Sequence, residues 1–123
     1  MQKLTNKEEE IMQILWKLKK AFVKEMMSEI TEDQPHYNTL STIVRNLEEK
    51  GYVSHNAYGN THQYYPLVSK DEYSKRSMKQ LVKGYFEGSF SNVVSFMVKE
   101  NNLSIEELET LLQQIKKQQN QKK

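Results

Sequence analysis

The sequence predicts a mainly α-helical fold that carries one small β-hairpin. Three observations lead there. Apolar residues recur at helical spacing over most of the chain, the spacing changes to that of strands between residues 52 and 67, and several helical stretches open on Ser or Thr with Glu three residues later.

The first stretch opens on Thr5-Asn6-Lys7-Glu8. The Thr5 hydroxyl suits a backbone N–H three residues on and Glu8 reaches back, so a helix is expected from about 6 to 19. Ile11, Ile14, Leu15 and Leu18 form its apolar face, with Met12 and Trp16 beside them as core. A second helix fits 22–31 through Val23, Met26, Met27 and Ile30. Glu32-Asp33-Gln34-Pro35 ends it, because Pro35 lacks a donor and disfavours helix in the residue before it. A third helix fits 37–50. Leu40, Ile43, Val44 and Leu47 fall in one stripe, Asn38, Thr42, Arg45 and Glu49 lie opposite, and Gly51 is placed to end it.

Tyr52 to His55 and His62 to Leu67 are rich in strand formers, and Tyr58-Gly59-Asn60-Thr61 is turn chemistry, which together predict a two-stranded hairpin. The helical period returns after Ser69-Lys70-Asp71-Glu72, through Tyr73, Met78, Leu81, Val82, Tyr85 and Phe86. Phe90, Val93, Val94, Met97 and Val98 mark another helix. Ser104-Ile105-Glu106-Glu107 opens a last one with Ile105, Leu108, Leu111, Leu112 and Ile115 on one face. A Gln/Lys-rich tail at 119–123 is expected to lack ordered structure.

Composition narrows the function. At 123 residues, with 37% hydrophobic and 28% charged, the chain suits one modest domain with an appendage, and its lean core invites oligomerisation. There is no cysteine, which removes disulfides, thiolate metal sites and cysteine nucleophiles and fits a cytoplasmic setting. No apolar run approaches the roughly 20 residues of a membrane span, and the first residues lack a secretory signal pattern. The net charge of +2 is too small to imply nucleic acid; residues 1–70 carry nine basic and nine acidic side chains, so any basic surface must come from placement.

Three helices followed by a hairpin within about 70 residues is the order of a winged helix-turn-helix. Such a bundle buries one small core and leaves the polar face of its third helix outward, where an α-helix fits the major groove of DNA. Asn38, Ser41, Thr42 and Arg45 are side chains that meet base edges; Thr39 and Asn46 flank them and reach backbone oxygens. His36 and Tyr37 start that helix, where backbone N–H groups favour phosphate, and His62 is placed for a contact from the wing. The pattern alone equally fits a solvated helix face, and a winged-helix module that binds protein instead of DNA stays open. So does a ligand-responsive regulator, which needs a sizeable apolar pocket that no separate sensor domain here provides.

The C-terminal half holds Leu81, Tyr85, Phe90, Val93, Phe96, Leu108, Leu111 and Ile115, more large apolar groups than three short helices bury alone. A two-fold interface between copies accommodates them, and folding back on the winged domain is the other arrangement. The sequence therefore divides into a winged helix-turn-helix at 1–70 and a helical dimerisation segment at 71–118. No catalytic constellation is visible. Glu8-Glu9-Glu10 and Glu106-Glu107 sit in first turns, where they suit the helix dipole. His36, His55 and His62 lack the spacing of a metal site, so neither cofactor nor metal is expected.

Several segments resemble the BlaI/MecI/CopY family of bacterial penicillinase-type repressors. They are Thr5 to Trp16; Tyr37-Asn38-Thr39-Leu40-Ser41-Thr42 with Leu47 to Val53; His62 to Val68; and Phe90 to Phe96 with Leu103 to Leu108, so the likeness spans residues 4–117. The resemblance implies a homodimer on a palindromic operator in double-stranded DNA, with residues 1–70 binding DNA and 71–118 dimerising. It also implies repression of resistance or stress genes, relieved when a membrane-bound sensor with a zinc protease domain triggers cleavage of the repressor. Three positions depart from the pattern. The family's scissile Asn-Phe is Ser95-Phe96 here, the C-terminal cysteines of the copper-sensing branch are missing, and the usual Arg before the Leu near the end of the third helix is Asn46, with Arg45 one residue earlier.

Overall fold

A computed structural model describes residues 2–121. The chain forms α1 (Asn6–Leu18), β1 (Ala21–Phe22), α2 (Val23–Ser28), α3 (Tyr37–Glu49), β2 (Val53–Tyr58), β3 (Thr61–Pro66), α4 (Lys70–Tyr85), α5 (Phe90–Lys99) and α6 (Ile105–Gln121). It divides into two compact units, Met1–Ser74 and Lys75–Lys123.

In the first unit, the capping box at α1 is complete: Thr5 Oγ1 accepts from the Glu8 N–H at 3.2 Å and Glu8 Oε1 accepts from the Thr5 N–H at 2.8 Å. Ile11, Met12 and Leu15 of α1, Met26 of α2 and Leu40, Val44 and Leu47 of α3 are buried together with Tyr52, Val53, Tyr64 and Val68. Burying each large aliphatic side chain contributes about 1.5–3 kcal/mol relative to leaving it in water. Trp16 lies at the margin of this core, its ring against Tyr73 and its indole N–H donating to Val68 O at 2.9 Å.

The link from α3 into the sheet is built by sequence. Gly51 takes φ +85°, its N–H donates to Glu48 O, and the Tyr52 N–H donates to Leu47 O, both at 3.0 Å. That pair of bonds closes the helix in a left-handed cap, and Tyr52 and Leu47, which such a cap brings together, are both buried. β2 and β3 then pair antiparallel from Val53↔Pro66 to Tyr58↔Thr61 around a two-residue turn. Gly59 occupies its first position with φ +63°, which side chains rarely tolerate.

Two expectations need correction here. The sheet has three strands, in the order β1-β3-β2, with Ala21↔Tyr64 and Phe22↔Gln63 pairing antiparallel. The second helix is accordingly shorter than 22–31. Phe22 is in a strand and precedes the first turn of α2, and Glu25 Oε1 accepts the Phe22 N–H at 2.9 Å. The first turn of α4 packs with the N-terminal unit, which runs to Ser74: Tyr73 lies with its ring near Trp16 and Tyr52, and its hydroxyl donates to Glu9 Oε1 at 3.0 Å.

In the second unit, Ser89 and Ser104 cap α5 and α6 by accepting from the N–H groups of Asn92 at 3.2 Å and Glu107 at 3.0 Å. Among the described residues Val82 is its one buried apolar side chain. α6 continues to Gln121, so residues 119–121 of the expected tail are helical, as Gln and Lys are sound helix formers; residues 122 and 123 lie outside the described residues.

Candidate nucleic-acid interface

α3 is amphipathic in the way its sequence demands. Leu40, Val44 and Leu47 are fully buried, Ile43 is half-buried, and Tyr37, Asn38, Thr39, Thr42, Arg45 and Asn46 are exposed, with Ser41 between. His36 is the residue before the first turn. Its side chain makes no capping bond, which leaves the first N–H groups of α3 facing outward.

The exposed surface divides by angle. Asn38 and Thr42 occupy one stripe, and the Thr42 hydroxyl donates to Asn38 O at 2.9 Å. Tyr37, Ser41 and Arg45 form a second stripe, one turn apart each, on the side that meets the sheet. Arg45 Nε donates weakly to Ser41 O at 3.4 Å. Thr39 and Asn46 lie on the far flank.

The hairpin is tied to this helix by a contact seven residues apart in sequence. His55 Nδ1 lies 2.6 Å from Glu48 Oε2, in the last turn of α3. The His55 ring stacks on His62 with centroids 4.0 Å apart and planes 8° off parallel, and Tyr64 packs against both. His62 therefore stands on a fixed platform with its ring at the surface. Burial, then the Glu48 carboxylate, pushes the Tyr64 hydroxyl above its ordinary pKa, so it stays a neutral phenol. Stacked parallel rings direct their in-plane nitrogens side by side and not to a common point. Among the described residues no group of three His, Asp or Glu could hold a metal ion.

The structure thus brings Tyr37, Ser41, Arg45 and His62 to one cleft, which Asn38 and Thr42 adjoin on α3. Sequence reasoning missed the rest of the cleft wall. Phe22, Lys24 and Tyr64 arrive there through β1 and its pairing with β3, a two-residue strand with no periodic signal. The one available clue was strand period: His62 and Tyr64, two residues apart, share a face of β3.

The chain matches the penicillinase repressor family over residues 4–117. It belongs to that family. Relatives within reach include the methicillin resistance regulatory protein MecI of Staphylococcus aureus, 27% identical over 109 residues that cover 88% of this chain and 89% of that protein. The penicillinase repressor of Bacillus licheniformis is 23% identical over 121 residues, 98% of this chain and 94% of that protein. Among solved structures, the DNA binding domain of the repressor BlaI superimposes with a TM-score of 0.51 at 25% identity, covering 59% of this chain and 94% of that domain. A penicillinase repressor family member is a regulator and not an enzyme, and the winged helix-turn-helix expected from the sequence is the fold observed. Among the described residues no helix is long and apolar enough to cross a membrane.

The residues expected at a dimer interface all lie in the second unit. Leu81, Tyr85, Phe90, Phe96, Leu111 and Ile115 are exposed, Tyr85 by 80%, while Val93 and Leu108 are half-buried. Ser95-Phe96, the pair expected from the family resemblance as a cleavage site, falls in the middle of α5, and the Phe96 ring packs edge-on to Phe86 at 5.5 Å.

Proposed function

We propose that this penicillinase repressor family member represses transcription as a homodimer that reads a palindromic operator in double-stranded DNA. The observation that carries the reading is α3: a helix whose apolar stripe is buried and whose opposite face offers Asn38, Thr42 and Arg45 to solvent. In the major groove Arg45 suits guanine and Asn38 suits adenine, each good two-bond pair discriminating by about 1–3 kcal/mol. In this reading Ser41 joins them at a base edge or phosphate, Thr39 and Asn46 on the flank of α3 reach backbone oxygens, His36 and Tyr37 open the helix whose N–H groups favour phosphate, and His62 meets the backbone from the wing. The likeness to the DNA binding domain of the repressor BlaI supports the same face.

The second copy follows from the exposed apolar side chains beyond Lys75, which pair across a two-fold axis and set two α3 helices about one DNA turn apart. Relief by a membrane-bound sensor metalloprotease extends the family resemblance. Cleavage at Ser95-Phe96 then requires α5 to unwind first, since its backbone is helical there.

The test starts from duplexes selected out of a random library by the full chain. Binding should weaken steeply as salt rises, and the selected sites should be palindromic. Arg45→Ala should cost about 1–3 kcal/mol of affinity and relax base preference at one position per half-site, and Thr42→Ala should weaken binding with the thermal melt unchanged. Unaltered affinity in both variants, or no selected duplex at low salt, removes α3 as the reading helix.

A further inference from the structure

The cleft between α3 and the hairpin is more than a seam. It encloses about 480 Å³, within the range of small-molecule sites, and lies wholly inside the N-terminal unit. Its walls are aromatic: Phe22 from β1, Tyr37 from α3 and Tyr64 from β3. Its rim is cationic, with Arg45 and Lys24. Glu25, the one acid on the lining, is engaged, its carboxylate accepting the Phe22 N–H at 2.9 Å. Arg45 spends only Nε on a weak bond to Ser41 O, so the terminal N–H groups of its fork point to no acceptor among the described residues.

We propose that this cleft binds a planar aromatic carboxylate and that the bound ligand antagonises DNA binding. The aromatic walls take the ring by stacking and burial. The guanidinium takes the carboxylate, ideally through two parallel bonds, and Lys24 adds a second positive charge. Antagonism follows from shared parts: Tyr37, Ser41, Arg45 and His62 line the cleft and belong to the DNA face. A ligand that neutralises Arg45 and fills the space between helix and wing removes contacts that DNA needs. This antagonism rests on the DNA-binding reading above; capture of the ligand does not.

The experiment titrates the isotope-labelled full chain with 1-naphthoate and with neutral 1-naphthamide, followed by amide chemical shifts. Naphthoate should shift residues 22–25, 37–45 and 60–64 and bind at least about ten-fold more tightly than naphthamide, since only the anion engages the guanidinium. Arg45→Gln, an exposed substitution that spares the core, should erase that preference. Thr42→Ala, which lies outside the cleft lining, should keep naphthoate affinity while losing duplex affinity. Naphthoate should also displace a fluorescent selected duplex. Equal binding of the two probes, or shifts scattered over the surface, overturns the site. Shifts confined to the cleft with the duplex undisturbed overturn the antagonism. A chain that binds naphthoate in the cleft but no duplex at low salt supports the site and defeats the DNA reading instead.

Discussion

Met1–Ser74 and Lys75–Lys123 spend their apolar residues differently. In the first unit Met12, Leu15, Met26, Leu40, Val44 and Leu47 have no exposed surface, and three helices and a sheet enclose them. In the second, Val82 is 1% exposed, whereas Leu81, Tyr85, Phe90, Phe96, Leu111, Leu112 and Ile115 face outward. An exposed apolar set of that size on a short helical segment marks an interaction surface. The difference bears on where stability resides: the first unit carries its own core, and in the homodimer proposed above the second completes its core against another copy. The two units should therefore respond to mutation in different currencies, one through folding and the other through association.

The largest effect should come from the second unit. Leu108→Asp places a charge on the half-buried side of α6, among the side chains assigned to the interface. Dissociation should strengthen by at least about 1000-fold, on the order of 4 kcal/mol. Sedimentation at micromolar concentration should then find monomers where the parent chain is dimeric. A dimeric variant breaks the comparison, as does a monomeric parent. Next comes the first unit. Leu47→Ala removes a fully buried side chain from α3 and should cost about 2–5 kcal/mol in a chemical-denaturation melt. Its loss should not vary with protein concentration, whereas association-linked stability does. A concentration-dependent penalty for Leu47→Ala means the two units share one folding transition.

How much of this was legible in the sequence follows from the range of each interaction. Helices α1 and α3 were legible because their signals are local: Thr5 and Glu8 are three residues apart, and Leu40, Val44 and Leu47 repeat on one face. The polar stripe of α3 came with them, since burying one face exposes the other. β1 was not legible. Two residues have no period, and Ala21 and Phe22 become a strand only because Tyr64 and Gln63 lie alongside, some forty positions later. The aromatic cleft was hidden for the same reason: Phe22 and Tyr64 meet Arg45 through the sheet and not through spacing. The contact of Glu48 with His55 likewise depends on the Gly51 cap reversing the chain between them.

The ion pair of Glu8 with Lys50 in the first unit yields the smallest effect. Glu8 is 4% exposed, and its Oε1 accepts from Lys50 Nζ at 2.6 Å, tying the start of α1 to the end of α3. Burial alone raises its pKa, but the Lys50 hydrogen bond, the Thr5 N–H, the Lys50 charge and the Thr5 hydroxyl together hold it below the ordinary glutamate value. A carboxyl whose pKa is lower folded than unfolded binds fewer protons in the native state. Its contribution is thus fully present above the unfolded value and is lost as pH falls through the folded one. Denaturation midpoints taken from about pH 7 down to about pH 3 should fall more steeply for the parent than for Glu8→Gln, and the gap between them should narrow at the acid end. Lys50→Met reverses the balance. The carboxylate loses its hydrogen-bonded cation while staying buried, so that variant should gain stability on acidification relative to the parent. Parallel pH profiles for the parent and Glu8→Gln would mean that Glu8 titrates alike in both states, and that Lys50 supports α3 through its packing and its 3.3 Å bond to Lys3 O instead of through charge.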